Sequence, residues 1–392
     1  MAAQPLFPLD DFHPAPGITH LCAAGESLPL QSHGAAFTRY LNDKAGGSKG
    51  RQEQARQLDH VRGLVAESWN VTTQEIGFAS SVADGISMLL ESLHWQPGDN
   101  VVVNPDEFPS VVGPFAWKSL WYREGHGDGD GDGDDVGETS LEVRYARPDS
   151  VESVVDNKTR LIAISYVSYL TAARADLAFY RHIADAVGAI LVVDYTQAAG
   201  YAPIDAGIAD FAFSACYKWL MGTTGAAIAY WNQTRQPRWK PSTAGWHSLS
   251  LGERRLLWGS DTIETRNDAM CFSRGNPSHS SIYILRGCLE YLGKWEAEDI
   301  QRHVQGLTAK LLDLLEREGI PVTTPRERTQ HGASVTIDCV GASEIVDKMG
   351  EAGVYAWNGS GRVRFSFHGY NCLADVDRVM EVFPKLWRDF NQ

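Results

Sequence analysis

Two neighbouring stretches decide the fold: "LAFYRHIADAVGAILVVDYTQAAG", Leu177–Gly200, and "DFAFSACYKWLMGTTG", Asp210–Gly225. The first opens with apolar residues at helical spacing, about 3.6 residues per turn, and passes into the unbroken apolar run "AILVV". The second opens with another short apolar run. Upstream, "TRLIAISYVSYL" supplies a third. Apolar strands alternating with an amphipathic helix are the signature of a mostly parallel sheet covered by helices. Sites in such sheets gather at the carboxyl ends of the strands. Asp194 stands at one such end, and Lys218 follows another.

The same rhythm extends towards the amino terminus. "GSKGRQEQARQLDHVRGLVAESWNV" reads as an amphipathic helix, and "VTTQEIGFASSVADGISMLLESLHW" as strand, serine turn and helix. "DNVVVNPDEFPSVVGPFAW" repeats that plan with a buried strand "VVV". Residues 1–30, rich in Pro, Gly and Ala, read as an extended arm. From about residue 279 the pattern changes to long helices, then to strands near "ASVTIDCV" and "RVRFSFHG" with helices near "SEIVDKMGEAG" and "LADVDRVMEVF". The expected organisation is an arm (1–30), a large α/β domain (31–270) and a smaller α+β domain (271–392). The Gly/Asp alternation at 125–135 lacks the apolar anchors of calcium-binding repeats and reads as a solvated loop.

Bulk properties exclude some classes. A net charge of -14 argues against general nucleic-acid binding, which needs a basic surface. The start, "MAAQPLFPLDDFHPAPG", lacks the basic and apolar regions of a secretory signal, and no run is long enough to cross a bilayer. Six scattered cysteines with no CxxC pair suggest reduced thiols and a cytoplasmic setting.

Several residues carry possible chemistry, each with a plainer reading beside it. Lys218 can form an imine with an aldehyde if burial or a neighbouring cation keeps its amine neutral; otherwise its stem lies on apolar surface with the ammonium in water. Asp194 either caps a turn or holds a proton on a pyridine nitrogen. Gln197 either donates to a ring oxygen or is solvated. Ser80, Ser81 and the amides of Val82 and Ala83 either receive a phosphate or simply start a helix. Phe108 either covers a planar cofactor or packs in the core. Arg364 and Arg362 share a strand face, and either can offer a carboxylate fork.

The order of these residues resembles the class V aminotransferase family of pyridoxal-phosphate enzymes, which includes cysteine desulfurases, isopenicillin N epimerase and kynureninase. The resemblance runs from "LCAAGESLP" at 21–29 to "RFSFHGYN" at 364–371. It implies a fold type I structure: a three-layer αβα domain with a mainly parallel seven-stranded sheet, plus a smaller C-terminal domain. It implies pyridoxal 5'-phosphate as cofactor, with Lys218 as the Schiff-base lysine and Asp194 at the pyridine nitrogen. Gln197 falls beside the phenolic oxygen. Ser81, Val82, Ala83, Ser214 and Tyr217 fall at the phosphate, Phe108 over the ring, and Arg364 at the substrate α-carboxylate. Trp246 in "AGWHS" and Asn276 in "RGNPS" match residues that reach the site across a dimer interface, which implies a homodimer acting on a small amino acid.

There are departures from the pattern. The loop "EAGVYAWNGSGRVR" lacks the reactive cysteine of desulfurases, and neither Cys216 nor Cys372 takes its place. Phe108 and Tyr217, where desulfurases have histidines, lean towards the kynureninase and isopenicillin N epimerase side. The expected reaction is transamination, with β-elimination or epimerisation as alternatives. Tyr169, Trp246, Tyr355 and Trp357 are candidates for the walls of the side-chain pocket.

Overall fold

Strands that are apolar on both faces must be covered on both, and the chain supplies helices for each side. The computed structural model describes residues 4–13, 17–124, 141–250 and 263–391; the Gly/Asp-rich stretch at 125–135 lies outside them. The arm carries β1 (Thr19–His20), followed by α1 (His33–Ala45) and α2 (Gly47–Ser68). Next come β2 (Ile76–Ala79), α3 (Val82–Glu91), β3 (Asn100–Val103), α4 (Pro109–Arg123), β4 (Glu142–Tyr145) and β5 (Thr159–Ser165). Then follow α5 (Leu177–Val187), β6 (Ile190–Asp194), β7 (Phe211–Ala215) and β8 (Ala227–Trp231). The C-terminal part holds α6 (His279–Leu292), α7 (Ala297–Arg317), β9 (Ser334–Asp338), α8 (Ala342–Glu351), β10 (Val354–Tyr355), β11 (Trp357–Gly359), β12 (Arg362–Ser366) and α9 (Leu373–Asn391).

The large sheet has seven strands in the order β2-β8-β7-β6-β5-β3-β4. Strand β8 runs antiparallel to both its neighbours, and the other pairs are parallel. Alternate residues feed two separate cores. Leu191, Val193 and Ala212 pack with Val61 and Val65 of α2 and Ile183 of α5. Val192, Phe211 and Phe213 pack with Ile86 and Leu89 of α3 and Phe115 of α4. Helix α3 lies so close that a Cβ at Gly85 would stand 2.4 Å from the Phe213 ring. The architecture is therefore the expected αβα sandwich with a mostly parallel seven-stranded sheet.

A second, antiparallel sheet has the order β11-β12-β9. The arm is tied to this part of the chain. Strand β1 pairs in parallel with β10, and the Ser366 amide donates to the Leu21 carbonyl at 2.8 Å. Beyond that point the arm turns back onto the Lys218 loop. No helix among the described residues is long and apolar enough to cross a membrane.

Candidate active site

Strands β5, β6 and β7 end side by side. Asp194, the last residue of β6, is in register with Ser165 of β5 and Phe213 of β7. Its Oδ1 accepts the Thr196 amide at 2.9 Å, and the Thr196 hydroxyl accepts the Ala215 amide at 2.9 Å. These bonds lock the ends of β6 and β7 together. The chain leaves β7 through Lys218, which is only 6% exposed. Its Nζ lies 4.9 Å from the centroid of the Phe108 ring and 5.7 Å from that of Tyr217. A cavity of about 180 Å³ opens here, and Lys218, Asp194, Phe108, Gln197 and Tyr217 all line it. Ser80, Ser81 and Val82, at the start of α3, close one end.

The local sequence explains this arrangement. Ser81 caps α3, its Oγ accepting the Asp84 amide at 3.1 Å. That leaves the first-turn amides of Val82 and Ala83 without intrahelical acceptors. Phe108 precedes Pro109, the first residue of α4, so its backbone is held extended and its ring is set at the helix start. Gln197 is fixed from both sides. Its Nε2 donates to the Ala24 carbonyl at 3.0 Å, and its Oε1 accepts the Trp219 indole N–H at 2.9 Å. Gly200 follows with φ +112°, and a Cβ there would stand 2.2 Å from the Trp219 carbonyl oxygen.

Three buried charged groups dominate the electrostatics. Burial drives the Lys218 ammonium down to about 8; the Arg364 cation adds to this and Asp194 opposes it. Burial raises the Asp194 carboxyl, against the hydrogen bonds from Thr196 and the nearby Lys218. Burial also brings the Arg364 guanidinium down to about 10, with Cys22 and Tyr169 opposing. The Arg364 guanidinium donates to the Tyr169 carbonyl at 2.7 Å and stacks 4.2 Å from the Trp357 ring. Its Nε is buried without a hydrogen-bond partner. Arg362, on the same face of β12, pairs instead with Asp338 and donates to the Leu170 carbonyl at 3.0 Å. The two arginines are thereby distinguished: the buried one has no carboxylate among the described residues.

Ser214 requires a correction. It shares a strand face with Ala212 and Cys216, is wholly buried, and donates to the Ala215 carbonyl at 3.2 Å. Ala215, one residue on, lines the cavity instead. Side chains alternate along a strand, so a one-residue difference moves the hydroxyl to the other side of the sheet. Ala83 is likewise absent from the lining, which leaves only its amide to contribute. Trp246 and Asn276 are not brought to Lys218. Trp246 is 49% exposed. Asn276 lines a second cavity, of about 340 Å³, that shares Ser80, Gly225 and Ala226 with the first.

Other contributors were not foreseen. Ser165 lines the cavity, beside Tyr169, which was expected among its walls. Tyr169 packs edge-on against Phe108 (5.1 Å) and Trp357 (6.5 Å), making an aromatic wall towards Arg364. Glu107 lies buried behind that wall. From the arm, the Ser27 hydroxyl donates to the Lys218 carbonyl at 2.7 Å. The available signals were slight: a carboxylate directly before Phe108, and a serine ending the apolar run "LIAIS".

These residues fit a planar anionic aldehyde. A buried amine of lowered basicity stands beside an aromatic ring, with a buried carboxylate opposite, free helix-start amides at one end and an arginine with an orphaned Nε nearby. Fold and site together define a pyridoxal-phosphate-dependent enzyme of fold type I. The class-V aminotransferase family model matches residues 31–379, and the chain belongs to that family. An uncharacterized aminotransferase of Schizosaccharomyces pombe is 26% identical over 352 residues, covering 84% of this chain and 82% of that protein. A probable cysteine desulfurase of Pyrococcus abyssi is 23% identical over 370 residues, 88% of each. The solved structure of the cystine C–S lyase C-DES with its product cysteine persulfide superposes with a TM-score of 0.81. That structure is 18% identical, and the match covers 96% of this chain and 98% of the lyase.

Proposed function

We propose that the protein transaminates a small α-amino acid, with Lys218 holding the cofactor and carrying the proton, and Arg364 docking the substrate carboxylate. Pyridoxal phosphate supplies an aldehyde carbon that takes an amine and a cationic ring that withdraws electrons. The observation that carries the reading is the set of three charged groups, Lys218, Asp194 and Arg364, buried around one site with no ion pair among the described residues. Buried charges left so are costly, and a ligand of complementary charge compensates them.

Each residue then has a task. Asp194 holds the proton on the pyridine nitrogen, and Phe108 covers the ring. Gln197 has one amide hydrogen left for the phenolic oxygen, the other being spent on Ala24. The amides of Val82 and Ala83, with Ser81 and Tyr217, hold the phosphate. Arg364, its plane fixed by Trp357 and the Tyr169 carbonyl, presents its free edge to the α-carboxylate. Lys218 is the lining amine whose proton affinity is brought near neutrality, so one group can both take the α-proton and return it. Among the described residues no cysteine lines the Lys218 cavity, and burial pushes the thiol of Cys22, near Arg364, up to about 11, which speaks against a persulfide-forming desulfurase. Phe108 and Tyr217 support the kynureninase-like side of the family.

A second reading, β-elimination, is favoured by the likeness to the C–S lyase. Incubating the holoenzyme with single amino acids, with and without a keto-acid acceptor, separates the two. Transamination predicts at most one equivalent of keto acid per site without acceptor, and continued release only when acceptor is present. Pyruvate or sulfide released over many turnovers without acceptor would overturn it in favour of elimination.

The same reading includes the division into an arm (1–30), a cofactor-holding unit (31–270) and a smaller unit (271–392). It also includes a homodimer. Trp246 and Asn276, which stand apart from Lys218 within one chain, then serve the partner's site.

A further inference from the structure

Glu107 is a buried carboxyl group that the reading above does not use. It follows β3 in the loop that presents Phe108, and its amide donates to the Asn104 carbonyl at 3.1 Å. Both its oxygens are taken by one residue: Oε1 accepts the Ser165 amide at 2.8 Å, and Oε2 is bonded by the Ser165 hydroxyl. Ser165 ends β5, lines the cavity and is the register partner of Asp194. Glu107 is thus bonded to one flank of Asp194 while its chain neighbour Phe108 forms another wall. No Lys, Arg or His pairs with it among the described residues.

The geometry points to Glu107 as a positioning residue: by gripping Ser165 with both carboxyl oxygens, it fixes the wall between Phe108 and Asp194 against which the cofactor ring rests. The inference rests on the cofactor reading above. The groups facing Glu107 are the Ser165 hydroxyl and amide, the Phe108 amide, the Asp194 carboxyl and the Tyr180 phenol. None is cationic, and Asp194 is a like charge. Burial, with Asp194 adding to it, lifts the Glu107 carboxyl to about 7 against the hydrogen bonds from Ser165. Near neutral pH both forms are populated, and either can hold the Ser165 amide and hydroxyl, so a charge at this place is not required. A glutamine has the same shape: its Oε1 can accept the Ser165 amide and its Nε2 can donate to the Ser165 hydroxyl.

The test is equilibrium binding of pyridoxal phosphate to the full-length apoprotein, followed by absorbance, for wild type, Glu107→Gln, Glu107→Ala, Ser165→Ala and the double alanine variant. Glu107→Gln should bind within about threefold of wild type, because its hydrogen bonds persist. Glu107→Ala should bind at least about tenfold more weakly, because the Ser165 amide and hydroxyl lose their buried partner. The double variant should be no weaker than Glu107→Ala alone, the mark of two residues acting as one unit. Should Glu107→Ala not fold, Glu107→Gln and Ser165→Ala carry the test. Glutamine binding as weakly as alanine, or Ser165→Ala indistinguishable from wild type, would overturn the inference while leaving the cofactor reading intact. A wild-type protein that binds no pyridoxal phosphate would overturn both.

Discussion

Lys218 keeps its amine in a place where an ammonium is poorly solvated. Its ordinary value of 10.5 falls to about 8, first through burial and then through the Arg364 cation, with Asp194 pulling the other way. Near neutral pH this leaves roughly a tenth of the amines uncharged, against well under one in a thousand for a solvated lysine. The sign for stability follows. Between pH 8 and 10.5 the unfolded chain binds this proton more tightly than the folded one, so the contribution of Lys218 to apoprotein stability rises with pH across that window and is flat below it. The sign for chemistry is the same, because only the neutral amine attacks an aldehyde. The rate at which apoprotein captures pyridoxal phosphate should rise with pH and level off a little above 8. In Arg364→Gln, which removes the neighbouring cation, the midpoint should move upward. Stopped-flow absorbance across pH checks this, and a profile climbing without a plateau up to the ordinary lysine value would contradict it.

At the scale of elements, the strands were visible wherever a short apolar run ended in a polar residue. Asp194, Gln197 and Lys218 could be placed because they stand at such ends. Strand direction was hidden: β8 reverses, yet a strand buried on both faces has the same composition either way. The face of Ser214 was hidden for a related reason. With apolar neighbours on both sides, nothing local distinguishes it from Ala215. Arg362 and Arg364 could not be ranked because the distinction lies in Asp338, on another strand. The arm read as extended, but its destination depends on contacts with residues far along the chain: Leu21 with Ser366, Ala24 with Gln197, and Ser27 with Lys218. Those contacts make the arm part of the site. Ser27→Ala removes one of the two donors to the Lys218 carbonyl and leaves the Met221 amide alone. It should lower stability by about 1 kcal/mol and kcat/KM by several-fold, read by urea unfolding and steady-state kinetics. An unchanged kcat/KM would make the arm a tether only.

At the scale of the whole molecule, three features are unexplained by a single chain. Helix α1 buries none of its residues, although Phe37 and Leu41 lie one turn apart, 44% and 47% exposed. An unburied apolar stripe on a helix calls for a partner. Trp246 is also left half-exposed, with the Arg51 guanidinium over its ring at 5.8 Å and the neighbouring His247 ring edge-on at 5.4 Å. Asn276 lines the cavity that adjoins the Lys218 cavity at Ser80 and Gly225, without entering the latter. A two-fold dimer that seats the α1 stripe and directs Trp246 and Asn276 towards the partner's cofactor accounts for all three. In such a dimer each site takes Lys218 from one chain and Asn276 from the other. Lys218→Ala and Asn276→Ala would each be impaired alone. Unfolded together in equal amounts and refolded, they should form heterodimers in half of the assemblies, each with one site free of both substitutions. Activity should then recover to about a quarter of wild type. Recovery to that level on a particle of twice the chain mass establishes shared sites. A mixture that is no more active than the average of its two parents shows instead that every site is built within one chain.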